Sequence, residues 1–213
     1  MHQRLITVSA VACLLLILVS GCHMAVNRSV YVDDGETVGH GYNAVNGNIT
    51  IGDDCSVKGD CRSVNGNIRV GTGSKTGDLQ CVNGSITIGA ESVIYGSIGS
   101  VNGPVDCGSG VIIKKDLDTV NGDVDVTNTR VEHDLTTYNG DITLRNGSIV
   151  EGDIEIKEPK GDNNLKSLVI KLEDGSVVKG DVINRARDVR VRLLLGDNCK
   201  VTGRIRDVEV IER

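Results

Sequence analysis

The sequence predicts an all-β chain wound into a single right-handed parallel β-helix of about eight or nine coils, each 18–19 residues long. Three observations carry this. Val-Asn-Gly recurs at Val45, Val64, Val82, Val101 and Val120, and Tyr138-Asn139-Gly140 continues the series at spacings of 19, 18, 19, 19 and 18. Each copy runs into a period-two apolar pattern, as in Ile49/Ile51, Ile68/Val70, Ile86/Ile88, Val105/Cys107, Val124/Val126 and Ile142/Leu144, which marks half-buried strands. Finally, 27 glycines and two prolines accompany four tyrosines, no phenylalanine and no tryptophan. A core without large rings must be filled by Val, Ile and Leu, which suit strands.

Residues 1–21 read as a secretory signal: Arg4, an apolar run from Leu5 to Val19, then small residues. The segment Val19-Ser20-Gly21-Cys22 resembles the bacterial lipobox. That resemblance implies that Cys22 is acylated, by palmitate or similar chains, and becomes the new N-terminus. Several acyl chains anchor a protein stably, because each buried methylene contributes about 0.8 kcal/mol. His23 stands where an aspartate would imply retention at the inner membrane, so the resemblance points to an outer-membrane lipoprotein facing the periplasm or the outside. Residues 22–28 then read as a lipid-linked tether, and residues 29–213 as the solenoid.

The first coil is expected at Val30, Val32 and Val38, which lie 19 residues before Ile49, Ile51 and Val57. A second shared element, Val57-Lys58-Gly59-Asp60-Cys61, returns at Val150 and Val178, and more loosely at Val201. The pattern Ile142–Ser148 reappears 28 residues later as Ile170–Ser176, which places an inserted loop at residues 157–167. Val189, Val191, Leu193 and Leu195 provide the last long strand. No single coil can bury its apolar face, whereas a stack buries a continuous one.

Stacked coils turn each repeat position into a ladder. Asn46, Asn65, Asn83, Asn102, Asn121 and Asn139 form one. They are expected to make tight corners, since asparagine tolerates the left-handed conformation and glycine adopts it freely. Their amides can also hydrogen-bond along the rod. A second ladder holds Asp60, Asp78, Asp116, Asp134, Asp153 and Asp181, interrupted by Ser97. Two readings stand for it: turn caps accepting backbone hydrogen bonds, or a weak calcium site between neighbouring carboxylates.

Removing residues 1–21 takes away Arg4 and no acid, leaving 22 basic and 29 acidic residues and a formal net charge of −7. That balance argues against nucleic-acid binding, and the missing aromatics remove any platform for stacking sugars or bases. The charge is uneven: residues 29–160 hold twenty acids and ten bases, while residues 185–213 carry a net +3. Arg185, Arg187, Arg190 and Arg192 thus mark either a cap on the open sheet edge or a face contacting an acidic polymer or another copy.

Cys55, Cys61, Cys81, Cys107 and Cys199 are odd in number, which excludes a complete disulfide framework. Cys61 and Cys107 align with core positions, and Cys55 and Cys199 share one repeat position many coils apart. A Cys61–Cys81 bridge requires a turn to absorb their register offset. No zinc-ligand spacing occurs, and no metal or other cofactor is expected. His23, His40 and His133 sit near no nucleophile, and the insertion offers only Glu158 and Asp162 for glycosidase-like chemistry, so a non-catalytic protein is expected.

The unit Val-Asn-Gly-(Asp/Asn/Ser)-Ile-x-(Ile/Val), over residues 29–156, resembles the adhesin family of bacterial β-strand repeats. Gly-Ser-Val-Val-Lys-Gly-Asp-Val and Asn-Cys-Lys-Val-Thr-Gly-Arg-Ile resemble bactofilins, polymer-forming β-helical proteins that lack a lipobox. The first resemblance implies a lipid-anchored structural or adhesin-like envelope protein, binding itself or an envelope polysaccharide. The second implies a self-assembling scaffold. A carbohydrate-active β-helix is the third reading.

Overall fold

The computed structural model describes residues 23–158 and 167–212. The segment expected to be a signal, with Val19, Ser20, Gly21 and Cys22 of the lipobox resemblance, lies outside them, as do residues 159–166 of the expected insertion. The chain is a parallel β-solenoid of the predicted class, with about ten coils.

The first coil sets the pattern: β1 (His23–Val26), β2 (Val30–Val32) and β3 (Thr37–Val38), each on a different face. Every later coil but the last repeats the three, and the last repeats the first two, giving two ten-stranded parallel sheets and one nine-stranded sheet. We call them sheets 1, 2 and 3 in that order. The register follows the repeat: Ile49, Ile68, Ile86, Val105, Val124, Ile142 and Ile170 are successive partners in sheet 2.

Two boundaries differ from expectation. Residues 23–26, expected in the tether, form β1 and pair with Tyr42–Val45. The sequence hid this because Met24 and Ala25 carry no period-two aliphatic signature. Strands at Ile205–Arg206 and Glu209–Glu212 close the other end, so the stack exceeds the eight or nine coils expected. At the insertion, the Lys157 amide still donates to Thr137, and Ser167 already pairs with Arg190, so the departure from the repeat is narrower than residues 157–167.

Inside, aliphatic ladders from all three sheets fuse into one core, with Ile68, Leu79, Ile86, Ile94, Ile98, Ile113 and Leu117 fully buried. Cys61 and Cys107 fill core positions as expected, and Cys55, Cys61, Cys81, Cys107 and Cys199 are all free thiols. No Cys61–Cys81 bridge forms, because Cys61 registers with Leu79 and Cys81 with Ser63. Burial pushes the thiol pKa of Cys61 and Cys107 up to about 12 and that of Cys81 up to about 11, which keeps them protonated and unreactive.

Each coil turns three corners. The corner from sheet 2 to sheet 3 needs the left-handed backbone, and Gly73 (φ 68°), Glu91 (φ 56°), Gly110 (φ 79°) and Asn128 (φ 44°) supply it. Beneath it a buried hydroxyl column satisfies the corner amides. Ser74 Oγ accepts from the Cys55 amide at 2.9 Å, and Ser92 Oγ accepts from the Ser74 amide at 3.2 Å.

The Asn-Gly corner, from sheet 1 to sheet 2, works differently from the expectation. Asn65, Asn83, Asn102 and Asn121 end extended strands, and of the six asparagines expected to turn left-handed only Asn46 (φ 55°) does so. The glycine is required instead by close approach. A Cβ at Gly122 would fall inside the envelope of the Gly103 carbonyl, and one at Gly66 would strike that of Gly47.

Gly122→Ala is therefore expected to destabilise the fold by about 1–3 kcal/mol, the usual range for overpacking. Gly39→Ala, where a Cβ meets nothing within 4 Å, should leave stability unchanged. Thermal melts of both variants followed by circular dichroism check the contrast.

Candidate functional site

The Asn-Gly corner carries a continuous amide ladder along its outside. Asn46 Nδ2 donates to Asn27 Oδ1 at 2.9 Å, Asn65 to Asn46 at 2.7 Å, and Asn83 to Asn65 at 2.8 Å. Asn102, Asn121 and Asn139 extend it at 2.8, 2.9 and 2.7 Å. Asn27 is a seventh member that sequence reading missed, because no glycine follows it. The amides face one another rather than a ligand, so the ladder is structural.

The aspartate ladder lies at the corner from sheet 3 back to sheet 1. There Asp60 Oδ1 accepts from the Asp78 amide at 3.1 Å, and Asp78 Oδ1 from the Ser97 amide at 2.9 Å. Asp116 and Asp134 accept from Asp134 and Asp153 at 3.3 and 2.8 Å. Asp153 and Asp181 accept from Asp181 and Arg204, each at 2.7 Å. Each carboxylate caps the amide one coil onward, where the turn leaves that amide without a strand partner. The contacts seen are those of the turn-cap reading, and among the described residues no three His, Cys, Asp or Glu side chains are grouped to hold a metal ion. One oxygen of each carboxylate, Oδ1, accepts the backbone hydrogen bond.

Outside the corners, ion pairs run between coils. Lys114 pairs with Glu132 at 2.5 Å, Arg130 and Lys179 both reach Glu151, and Arg145 bridges Asp125 to Glu173. Among the described residues Asp106 has no such ion pair, although its neighbour Asp125 is held by Arg145. Desolvation raises the Asp106 pKa, and Asp125 and Asp123 raise it further. Asp106 and Asp125 are register partners on adjacent strands of sheet 2, as like charges directly opposite each other.

The four arginines flagged from sequence do not form one face. Arg190 and Arg192 alternate with buried Val191 and Leu193 and point outward from sheet 2. Nor do the four cap the open end, since all lie in the penultimate coil, one short of the strands at Ile205–Arg206 and Glu209–Glu212. Arg185 and Arg187 instead join Arg206 around an open notch of about 740 Å³, walled by Ile183, Ala186 and Val189.

The notch exists because the Asn-Gly corner is lost after Asn139. Residues 185–189 bulge between the strands Val182–Asn184 and Arg190–Leu195. Asn184 holds that bulge from inside. It occupies the core position below Ile156, donates from Nδ2 to the Val189 and Asp207 carbonyls at 2.9 and 3.2 Å, and accepts from the Ala186 amide at 2.9 Å. Arg185 donates from Nε and Nη2 to Glu155 Oε1 at 3.0 and 2.5 Å. Those hydrogen bonds hold the Glu155 carboxyl below its ordinary pKa against the opposing effect of burial. Arg206 Nη2 donates to Asp181 Oδ2 at 3.2 Å, while Arg187 makes no ion pair among the described residues. Sequence reading missed Asn184 and Arg206. The readable signal was the absence of Asn-Gly from the last coils, which marks where the chain departs from its repeat.

The Asp106 cluster has a pH consequence. A carboxyl whose pKa is raised on folding binds its proton more tightly in the folded state, so it costs stability at neutral pH, and that cost disappears as pH falls through the raised pKa. Asp106→Asn is expected to raise Tm at pH 7, with the gain over the parent shrinking toward zero by about pH 4, near the ordinary carboxylate range. Melts across that range check it.

No protein-family model matches the chain, and no curated protein or solved structure matches it either.

Proposed function

We propose that the chain is a lipid-anchored, non-catalytic rod of the cell envelope, with a structural or adhesin-like binding role and an outer-membrane location. One observation carries the reading. The lipobox cysteine, Cys22, is joined by a single peptide bond to His23, the first residue of β1. A lipid on Cys22 would therefore seat the first coil against the bilayer, with exposed Met24 and Val26 on that coil. Ten coils at about 4.8 Å per step then carry the last one roughly 45 Å outward. The carboxylates support a non-catalytic role, since the aspartate ladder caps backbone amides and Glu132, Glu151, Glu155 and Glu173 are held by cations.

Metabolic labelling with a fatty-acid analogue is expected to tag the chain, and Cys22→Ser should abolish the label and move the protein from the membrane to the soluble fraction. A wild-type chain that takes up no label would sink the anchoring reading.

The second reading, a self-assembling scaffold, is favoured by the ends. Both present open sheet edges with exposed apolar side chains, Met24 and Val26 at one, Ile205 and Val210 at the other. The first coil sets Asp33, Asp34 and Glu36 against Arg28, and the last sets Arg204 and Arg206 against Asp207, Glu209 and Glu212, so each end carries charges of both signs that could pair across a junction. A lipid at Cys22 would cover the first of these edges, so the two readings exclude each other on one molecule. Negative-stain imaging of the Cys22→Ser chain at low and high salt distinguishes them: filaments that dissolve with salt establish the scaffold, and isolated short rods remove it.

A further inference from the structure

In solenoids, departures from the repeat collect on one face, and that face is frequently the binding face. Here seven coils share one corner chemistry, the asparagine ladder from Asn27 to Asn139. The ladder stops there, and the same corner next holds the insertion after Ile156 and then the bulge at residues 185–189. The repeat physics does not require either departure, because the corner closes without them in the coils below. Loops released from a regular scaffold are where binding residues concentrate.

The bulge is built rather than slack. Asn184 is 9% exposed and makes three hydrogen bonds that fix both limbs of the bulge and the last turn, at Val189, Ala186 and Asp207. Ile183, Ala186 and Val189 are each at most 7% exposed, so the notch has a firm apolar floor. Three guanidinium groups stand around it against a single carboxylate, Asp207. Arg185 and Arg206 are oriented by Glu155 and Asp181 yet keep unused N–H donors, since a guanidinium has five. Arg187 has no carboxylate partner among the described residues.

We propose that this notch binds phosphate groups carried on a polymer, as a phosphorylated glycan would present them. Arg185 and Arg187 line the notch from the bulge, and Arg206 lines it from the coil beyond. A tetrahedral phosphate offers acceptors in several directions, whereas a carboxylate offers one plane. The volume of about 740 Å³ exceeds one phosphate and admits the adjoining units of a chain, and the apolar floor suits the carbon face of such units. The proposal rests on the binding, non-catalytic reading of the chain, and names its ligand class.

The test is calorimetric titration of the full chain with inorganic polyphosphate, beside an unphosphorylated polyuronate and phosphatidylglycerol vesicles. Polyphosphate is expected to bind, more weakly as salt rises, and the other two are not. Arg187→Ala breaks no contact of the fold and should weaken binding about tenfold or more, the loss of one charge-assisted contact. Arg69→Ala, an exposed arginine of sheet 2 in the third coil, should change nothing. Unchanged melting temperatures for both variants show that folding is intact. Absent polyphosphate binding, equal losses in the two variants, equal binding of polyuronate, or binding to vesicles alone would each overturn the assignment. Release of orthophosphate from bound polyphosphate would instead overturn the non-catalytic reading and leave the notch standing.

Discussion

Every feature of this molecule depends on parallel strands stacking coil upon coil at about 4.8 Å. That spacing makes each residue the neighbour of its equivalent one repeat away, so a chemical choice at one position is repeated, contact for contact, along the rod. Aliphatic positions become a continuous core, and asparagine amides become a chain of side-chain hydrogen bonds from Asn27 to Asn139. The same spacing is unforgiving where backbones meet. At the Asn-Gly corner the carbonyl of one coil lies where the next coil's Cβ would be, and only glycine fits.

The corners show how one constraint takes three chemical solutions. Amides that the turns leave without strand partners are satisfied by carboxylates at one corner, by buried hydroxyls at a second, and by close main-chain stacking beside an amide ladder at the third. The acids of the first corner would repel one another if free. Directed at backbone N–H groups, and joined at intervals by Arg62 and Arg206, they stabilise the turn instead. Asp106 shows what the same stacking does without such a partner: burial raises its pKa, and Asp125 in register beside it raises it further. The position that makes a useful ladder at a corner makes a repulsive one on a sheet.

Regularity also explains where function can reside. A surface whose side chains are fully engaged with their own repeats has little left for a ligand. The arrangement departs from the repeat only past Asn139, where the bulge at residues 185–189 carries Arg185, held by Glu155, and Arg187. A notch there sits near the far end of the rod from Cys22, where a lipid-anchored molecule would meet its surroundings.

Fold class, repeat length and strand register were legible in the sequence, because period-two burial and an 18–19-residue recurrence are local signals that stacking merely copies. The buried roles of Cys61 and Cys107 followed from alignment to Ile and Leu positions. The two ends were less legible: β1 contains no alternating aliphatic pair, so its identity as a strand comes entirely from pairing with Tyr42–Val45. Residue choice misled at most of the Asn-Gly corners, where a pair associated with left-handed turns is used for its small size and its amides, with Asn27 and Asn46 the left-handed exceptions, and most left-handed residues sit at another corner. The arginine cluster was visible as composition, but not its division, since a five-residue bulge and the burial of Asn184 determine which guanidiniums converge. A sequence that repeats declares its ladders. Which atoms meet across a corner, and where a break in the repeat leaves space, depends on contacts between residues a whole coil apart, and these exist only in the folded stack.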